Sequence, residues 1–510
     1  MANFDDPFTG YTVLLRVIVY GLTPAFTAWQ VVRLRRALHV FQLEGYKRRR
    51  FLAWCNQNSH RALWLKPPGG KKPLVMTGRA WRILVTAALL VPLLVLVPSG
   101  LAHVTLGGWP ADIVTWVAVT ALVFVLTPHL LVGADWLLTP IQGFINANFM
   151  RAARRKLDEI DPVVVGVTGS FGKTSTKFAV EGLIGRTGSA LATPASFNTP
   201  LGVCRTVNEH LSADHRYFIV EMGAYGVGEI ADLCRFARPT IGVLTSIGPA
   251  HLERFGSIER IRQAKYELID SLPPAGVAVM NVDDPAVREL ADETSRVRVI
   301  RYGLEPSGNP DVTALDVATT TTGTTLKVVE RDSGETLDAR MRLLGRHAVG
   351  HLLAGICVAR AVGRPFAELA DGIAALRPIE HRLQIIEGTG GITVIDDAYN
   401  SNPDGAAAAL EVLASMPARR KFVVTPGMVE LGDLQAESNR TLGRQAAAVA
   451  DTIIVVAGVN RESITAGASG GRAEVVAVDS LDEASARLRD LLSPGDAVLF
   501  ENDLPDQYES

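Results

Sequence analysis

The sequence predicts an α/β chain with transmembrane helices at its front, and three observations carry that reading. Three apolar segments near the start reach the length of a bilayer span. Past Asp161, short apolar runs alternate with helical stretches, the pattern of a parallel sheet. The first of those runs enters a glycine-rich turn that opens into a helix at Lys173-Thr174. Composition agrees: 48% hydrophobic and 20% charged residues exclude a disordered or fibrous chain. A length of 510 residues suggests two to four domains. Cys55, Cys204, Cys234 and Cys357 lie too far apart for a disulfide framework or a cysteine zinc site, and fit a reducing compartment.

The membrane region comes first. Residues 83–102 hold no ionisable side chain, and residues 113–134 hold only His129. Residues 11–32 are weaker, because Arg16 lies inside them and must reach an interface. A buried core helix is the competing reading, above all for this first segment. An acidic start with no small-residue cleavage site speaks against a cleavable signal peptide.

Charge gives the orientation. The formal net charge of −2 hides 14 Lys/Arg in residues 1–82 against Asp5, Asp6 and Glu44. Such a basic front suits nucleic acid or a membrane; the apolar runs beside it select the lipid bilayer. Residues 33–82 carry 13 basic residues and one acid, so this loop is expected in the cytoplasm. The start then faces outward, and residues 103–112 form the outer hairpin. A third span returns the chain beside Arg151, Arg154, Arg155 and Lys156. The expectation is a multi-pass protein of the cytoplasmic membrane, with residues 1–150 as the membrane region and the rest on the side where ATP is found.

In the α/β part, strands are expected at 163–167, 217–220, 241–244 and 277–280. Thr-rich alternation within 313–344 reads as antiparallel hairpins, and residues 347–362 as a helix. From residue 391 a second series begins, with strands at 392–395, 422–424, 452–456 and 497–500, typical of a smaller Rossmann-like domain. The expected domains are 151–383 and 384–510.

The chemistry starts in Val163-Val-Val-Gly-Val-Thr-Gly-Ser-Phe-Gly-Lys-Thr-Ser-Thr176. Gly169 and Gly172 let backbone N–H groups approach phosphate oxygens, with Thr168, Ser170 and Ser175 completing the cradle, and the helix start favours the anion. Lys173 is expected at the β- and γ-phosphates and the Thr174 hydroxyl on Mg²⁺. The strict phosphate-loop spacing wants glycine at 167, where this chain has Val167 with Gly166 one place early.

That variant resembles the Mur ligase family, and the resemblance continues in order. Glu221-Met-Gly-Ala224, Ile247-Gly-Pro-Ala-His-Leu-Glu253, Phe255-Gly-Ser257, Ala264-Lys-Tyr-Glu267 and Asn281-Val-Asp-Asp284 follow. Then come Gly345-Arg-His347, Arg382, Asp396-Asp-Ala-Tyr-Asn-Ser-Asn-Pro403 and Gly427-Met-Val-Glu-Leu-Gly432. The last two strings look most like the D-alanyl-D-alanine-adding branch of the family. The match covers about residues 160–500.

The resemblance implies an ATP-dependent ligase with a P-loop central domain and a C-terminal Rossmann-like domain. It would use two Mg²⁺ ions to join small-molecule carboxylate and amine substrates in cell-wall peptide synthesis, near membrane-bound proteins of envelope synthesis. Glu221, leaving a strand beside the loop, suits Mg²⁺ as a Walker-type acid. His251 reads from residues alone as either a ligand or a satisfied core histidine; the resemblance implies a metal ligand. Lys265 reads alone as a solvated helix lysine; the resemblance implies a carbamate on its amine that ligates the second Mg²⁺. By resemblance, Asn281 and Asp397 contact adenine and ribose, and Arg382 approaches the terminal phosphate. Asn198 matches a substrate-side asparagine, with a loop cap as the alternative. Tyr399, Asn400 and Asn402 are expected to shape a domain interface.

Three departures stand out. The membrane region occupies the place of the family's uridine-nucleotide domain. Ala348 and His351 replace family asparagines, and Leu499-Phe-Glu-Asn-Asp-Leu-Pro505 replaces a Lys-Gly-Ser stretch. The second of these leaves base recognition open and the third the substrate pair, with a lipid-linked or non-murein acceptor as the alternative. A membrane P-loop ATPase is a more remote reading.

Overall fold

The computed structural model describes residues 17, 21–58, 73–106, 109–185, 189–195, 197–320, 322–387, 390–399 and 401–503. The chain divides into two units, residues 1–148 with 506–510, and residues 149–505.

The first unit is helical: Thr23–Leu43, Arg48–Gln57, Gly78–Leu106, Trp109–Val125, Thr127–Leu137 and the start of Thr139–Ile160. Leu34, Leu38, Phe41, Phe51, Ile83, Val91 and Leu131 form its core. Buried Arg33 and Asp135 are hydrogen-bonded or ion-paired, as burial requires. Arg33 donates to the Phe124 carbonyl (2.6 Å) and the Thr127 hydroxyl (2.8 Å). Asp135 lies between Arg48 (2.7 Å) and Arg79 (2.9 Å).

The expectation of about three spans is corrected here to one, or two if the bent pair below counts as a span. Among the described residues one helix is long and apolar enough, Gly78–Ala102, with mean hydropathy 2.4. The second segment is broken into Ile113–Val125 and Thr127–Leu137, which meet at 77°. Pro128 lacks an N–H for the helical ladder, and the Thr127 hydroxyl donates to the Val123 and Phe124 carbonyls at the bend. Residues 11–16 and 18–20 of the first segment lie outside the described residues; the helix from Thr23 carries residues 23–32 of it and buries Gln30 and, just beyond, Arg33.

The second unit holds two sheets. Strands β1 (Val163–Thr168), β2 (Ser189–Ala192), β3 (His215–Glu221), β4 (Ile241–Leu244), β5 (Val277–Asn281), β6 (Arg298–Tyr302), β7 (Val312–Thr320), β8 (Gly323–Glu330) and β9 (Thr336–Met341) form the first. Its order is β2-β3-β1-β4-β5-β6-β7-β8-β9. It is parallel through β6 and β7, and β7-β8-β9 pair antiparallel, as the Thr-rich alternation predicts. The second sheet contains β10 (Gln384–Glu387), β11 (Thr393–Asp397), β12 (Lys421–Thr425), β13 (Thr452–Val456), β14 (Glu474–Val478) and β15 (Ala497–Glu501). Its order is β10-β11-β15-β12-β13-β14, parallel except at β10.

Strand β1 lies inside the first sheet, with Val165 and Val167 fully buried. Each such side chain contributes about 1.5–3 kcal/mol on burial, so the strand is a rigid base for the loop that follows it. Its register sets Val167 beside Glu221 and Thr168 beside Leu244. The C-terminal ends of β1, β3 and β4 therefore meet at one edge, where parallel sheets bind ligands.

Candidate active site

The turn after β1 is held by the segment after β4. Ser170 donates its N–H to the Ser246 carbonyl (2.8 Å), and Phe171 its N–H to the Ser246 hydroxyl (2.9 Å). The Thr168 hydroxyl donates to the Met222 carbonyl at 2.8 Å. A Cβ on Gly169 would lie 2.0 Å from the Thr245 hydroxyl, so no other residue fits. Gly172, at φ 75°, starts the helix Lys173–Ile184 in left-handed backbone, and a Cβ there would meet the His351 ring at 2.5 Å.

The Lys173 amine folds back on the turn, donating to the Gly169 (2.7 Å) and Ser170 (3.0 Å) carbonyls. Burial lowers it to about 8; Glu221 pulls it up, and Arg382 pushes it further down. Glu221 is 1% exposed. One carboxylate oxygen accepts from the Thr174 hydroxyl (2.9 Å) and the Lys177 amine (3.2 Å), the other from Asn198 (3.3 Å). Asn198 is thus tied to Glu221, while the neighbouring Thr199 caps the next helix.

Lys265 is 3% exposed, which overturns its reading as a solvated helix lysine. Its amine lies 5.7 Å from the centre of the Phe255 ring. Burial, aided by the Lys173 charge, lowers it to about 7. His251 is half-buried and not a core residue. Its Nδ1 lies 2.6 Å from Glu430 Oε2, and its ring meets Tyr225 edge-on at 4.9 Å. Glu430 stays below its ordinary value: burial raises it, but His251 and Arg254 together overcome that.

A cavity of about 580 Å³ gathers Gly172 and Ser175 from the turn with Asn281, Arg382 and Asp397. Its volume is that of a small-molecule site. Asn281 ends β5 and is tethered to the Thr245 carbonyl at 2.9 Å. Arg382 stacks over Tyr399 at 4.3 Å. Asp397 ends β11 beside Glu501, its register partner on β15. Burial raises Asp397 to about 6 against the Leu383 amide and the Arg382 charge. Glu501 is likewise raised well above the usual carboxylate range, first by burial and then by Asp397. His347 and His351 line the same cavity, held neutral by burial at about 4 and about 3. Asn402 caps the helix Pro403–Ser415, and Asn400 lies outside the described residues.

The cavity does not include Lys173, Glu221, His251 or Lys265 in its walls. Among the described residues no group of three or more His, Cys, Asp or Glu forms a metal cage. That suits Mg²⁺, which keeps waters and binds through one or two carboxylates plus substrate phosphates. Glu221 and Thr174 supply hard oxygen donors beside the turn, and the contact of His251 Nδ1 with Glu430 leaves Nε2 for a ligand. The residues present fit the ion. Reading the sequence missed the roles of Lys177, Arg254, Glu430 and Glu501; Glu430 lay inside the Gly427–Gly432 motif and Glu501 inside the departing stretch at residues 499–505.

Comparison with known proteins agrees with this arrangement. Residues 167–359 match the Mur ligase middle domain, and residues 381–501 match the Mur ligase glutamate ligase domain. The chain is 36% identical over 361 residues to the UDP-N-acetylmuramoyl-tripeptide–D-alanyl-D-alanine ligase of Mycobacterium tuberculosis, covering 66% of this chain and 69% of that one. The Escherichia coli ligase of the same name is 31% identical over 308 residues, covering 60% and 67%. The crystal structure of MurF ligase from Thermotoga maritima in complex with ADP superposes with a TM-score of 0.64 at 28% identity, over 71% of this chain and 82% of that one. The chain belongs to the Mur ligase family, ATP- and Mg²⁺-dependent enzymes that form carbon–nitrogen bonds between small-molecule substrates.

Proposed function

We propose that this protein activates a carboxylate of a cell-wall precursor as an acyl phosphate and joins it to the amine of D-alanyl-D-alanine or a similar dipeptide. The observation that carries this is the convergence of turn, Asn281, Arg382 and Asp397 on one cavity. A carboxylate oxygen attacks the γ-phosphorus of ATP, and ADP leaves. The amine nitrogen then attacks the acyl carbon, phosphate leaves, and one proton is released. No side-chain nucleophile takes part.

In this reading the turn amides and Lys173 hold the phosphates, with Thr168, Gly169, Ser170, Gly172 and Ser175 shaping the cradle. Asn281 and Asp397 orient the nucleoside, and Arg382 meets the terminal phosphate. Thr174 and Glu221 would hold one Mg²⁺, and His251 with a carbamate on Lys265 would hold the second. Bound there, the ions neutralise charge on the phosphoryl oxygens. Purified full-length protein in detergent should release ADP only when both a carboxylate and an amine substrate are supplied. ATP consumption without an amine would instead mark a generic ATPase.

The enzyme is further proposed to be anchored in the cytoplasmic membrane, its catalytic domains in the cytoplasm. Leu89, Leu101, Val104, Val114 and Phe144 are each more than 60% exposed, and the helix Gly78–Ala102 is long and apolar enough to cross a membrane. This favours a lipid-linked acceptor as the second reading. A cysteine introduced at Gly108 should react with an impermeant reagent from outside the cell, and one at Gly70 should not. Labelling of Gly70 alone reverses the orientation.

A further inference from the structure

Glu430 belongs to the segment after β12 of the second sheet, yet its carboxylate is spent on residues that follow β4 of the first. Oε2 lies 2.6 Å from His251 Nδ1, and Oε1 lies 2.5 Å from Arg254 Nη2. Arg254 in turn stacks over Tyr225 at 4.3 Å, and Tyr225 meets the His251 ring edge-on. A carboxylate can only accept, so the hydrogen of this contact is on His251 Nδ1, and Nε2 is the nitrogen left to meet a metal ion. Both partners hold left-handed backbone, His251 at φ 57° and Glu430 at φ 64°. That conformation is uncommon for residues other than glycine, and here it occurs on both sides of one hydrogen bond.

We propose that Glu430 is a positioning residue for His251: it fixes the ring and its tautomer, presenting Nε2 to the second metal ion only while the two sheets of the catalytic unit are docked. The inference rests on the reading of His251 as a metal ligand. It makes the ion's retention a report on docking, because the orienting carboxylate and the ligand come from different sheets. Partners of this kind behind a ligating histidine change metal affinity about 10–100-fold when removed.

The test uses Mn²⁺ as a paramagnetic stand-in, titrated into the full chain in detergent with a non-hydrolysable ATP analogue and followed by electron paramagnetic resonance. The wild type should bind two ions. Glu430→Ala should weaken the second about tenfold or more, leaving the first ion and the nucleotide analogue bound as in wild type, which also shows that the variant is folded. Glu430→Gln, whose amide oxygen still accepts from Nδ1, should recover part of the loss. If Glu430→Ala binds both ions as tightly as wild type while His251→Ala loses the second, the positioning role is wrong and the ligand reading stands. If His251→Ala itself keeps both ions, the ligand reading falls and the proposal with it.

Discussion

Lys265→Ala should lose most ligase activity, and high bicarbonate or a short carboxylic acid should return part of it. The argument begins with charge. A protonated lysine beside the Lys173 amine and a bound metal ion would repel both. Burial and Lys173 already bring the Lys265 amine to about 7. At neutral pH about half of it is then the free base, against roughly one part in three thousand for an ordinary lysine. Only the free base adds CO₂, forming an N–C bond and releasing a proton, so that a cation becomes an anion suited to Mg²⁺. Wild-type activity should therefore fall as pH drops below about 7. Lys265→Glu, with a carboxylate of its own on a shorter arm, should retain some activity. Steady-state ADP release across pH and bicarbonate concentration measures all of this. Full activity in Lys265→Ala would remove the carbamate from the mechanism.

How much of this was legible follows from the range of the interactions involved. The strands Ile241–Leu244 and Thr452–Val456 could be read to the residue, because a continuous buried apolar run is a local signal. The turn at Gly169–Lys173 is local too. The break near Leu126 was not legible from hydropathy, which averages over Thr127-Pro128 and sees one apolar segment. Lys177 lies one turn after Lys173 and no local pattern marks it; packing against β3 makes it a fully buried partner of Glu221. Glu430 and His251 are joined by tertiary docking across 179 positions of chain. The grouping of Asn281, Arg382 and Asp397 came from ordered motifs rather than from any spacing, since they end different strands or loops. Lys265 shows the limit most clearly: composition makes it solvated, and the folded helix buries it.

Lys173→Ala should abolish ATP turnover while the protein stays folded. The Lys173 amine is held by two turn carbonyls and the residue is only partly buried, so its loss removes charge and not core. The same amine is lowered to about 8 by burial, so the loop keeps a cation at neutral pH that has few partners to compensate it. Triphosphate is the natural partner for such a charge, and loss of one oriented donor at a phosphoryl or oxyanion site costs roughly 10²–10³ in kcat. ADP release at saturating ATP should fall by that factor or more, and an unchanged unfolding transition would separate this from damage to the fold. Bicarbonate or a short carboxylic acid should not help this variant, because the missing group is a cation. That contrast divides the two lysines: Lys265→Ala should respond to an added carboxylate and Lys173→Ala should not. Near-normal turnover in Lys173→Ala would take the phosphate site away from this turn.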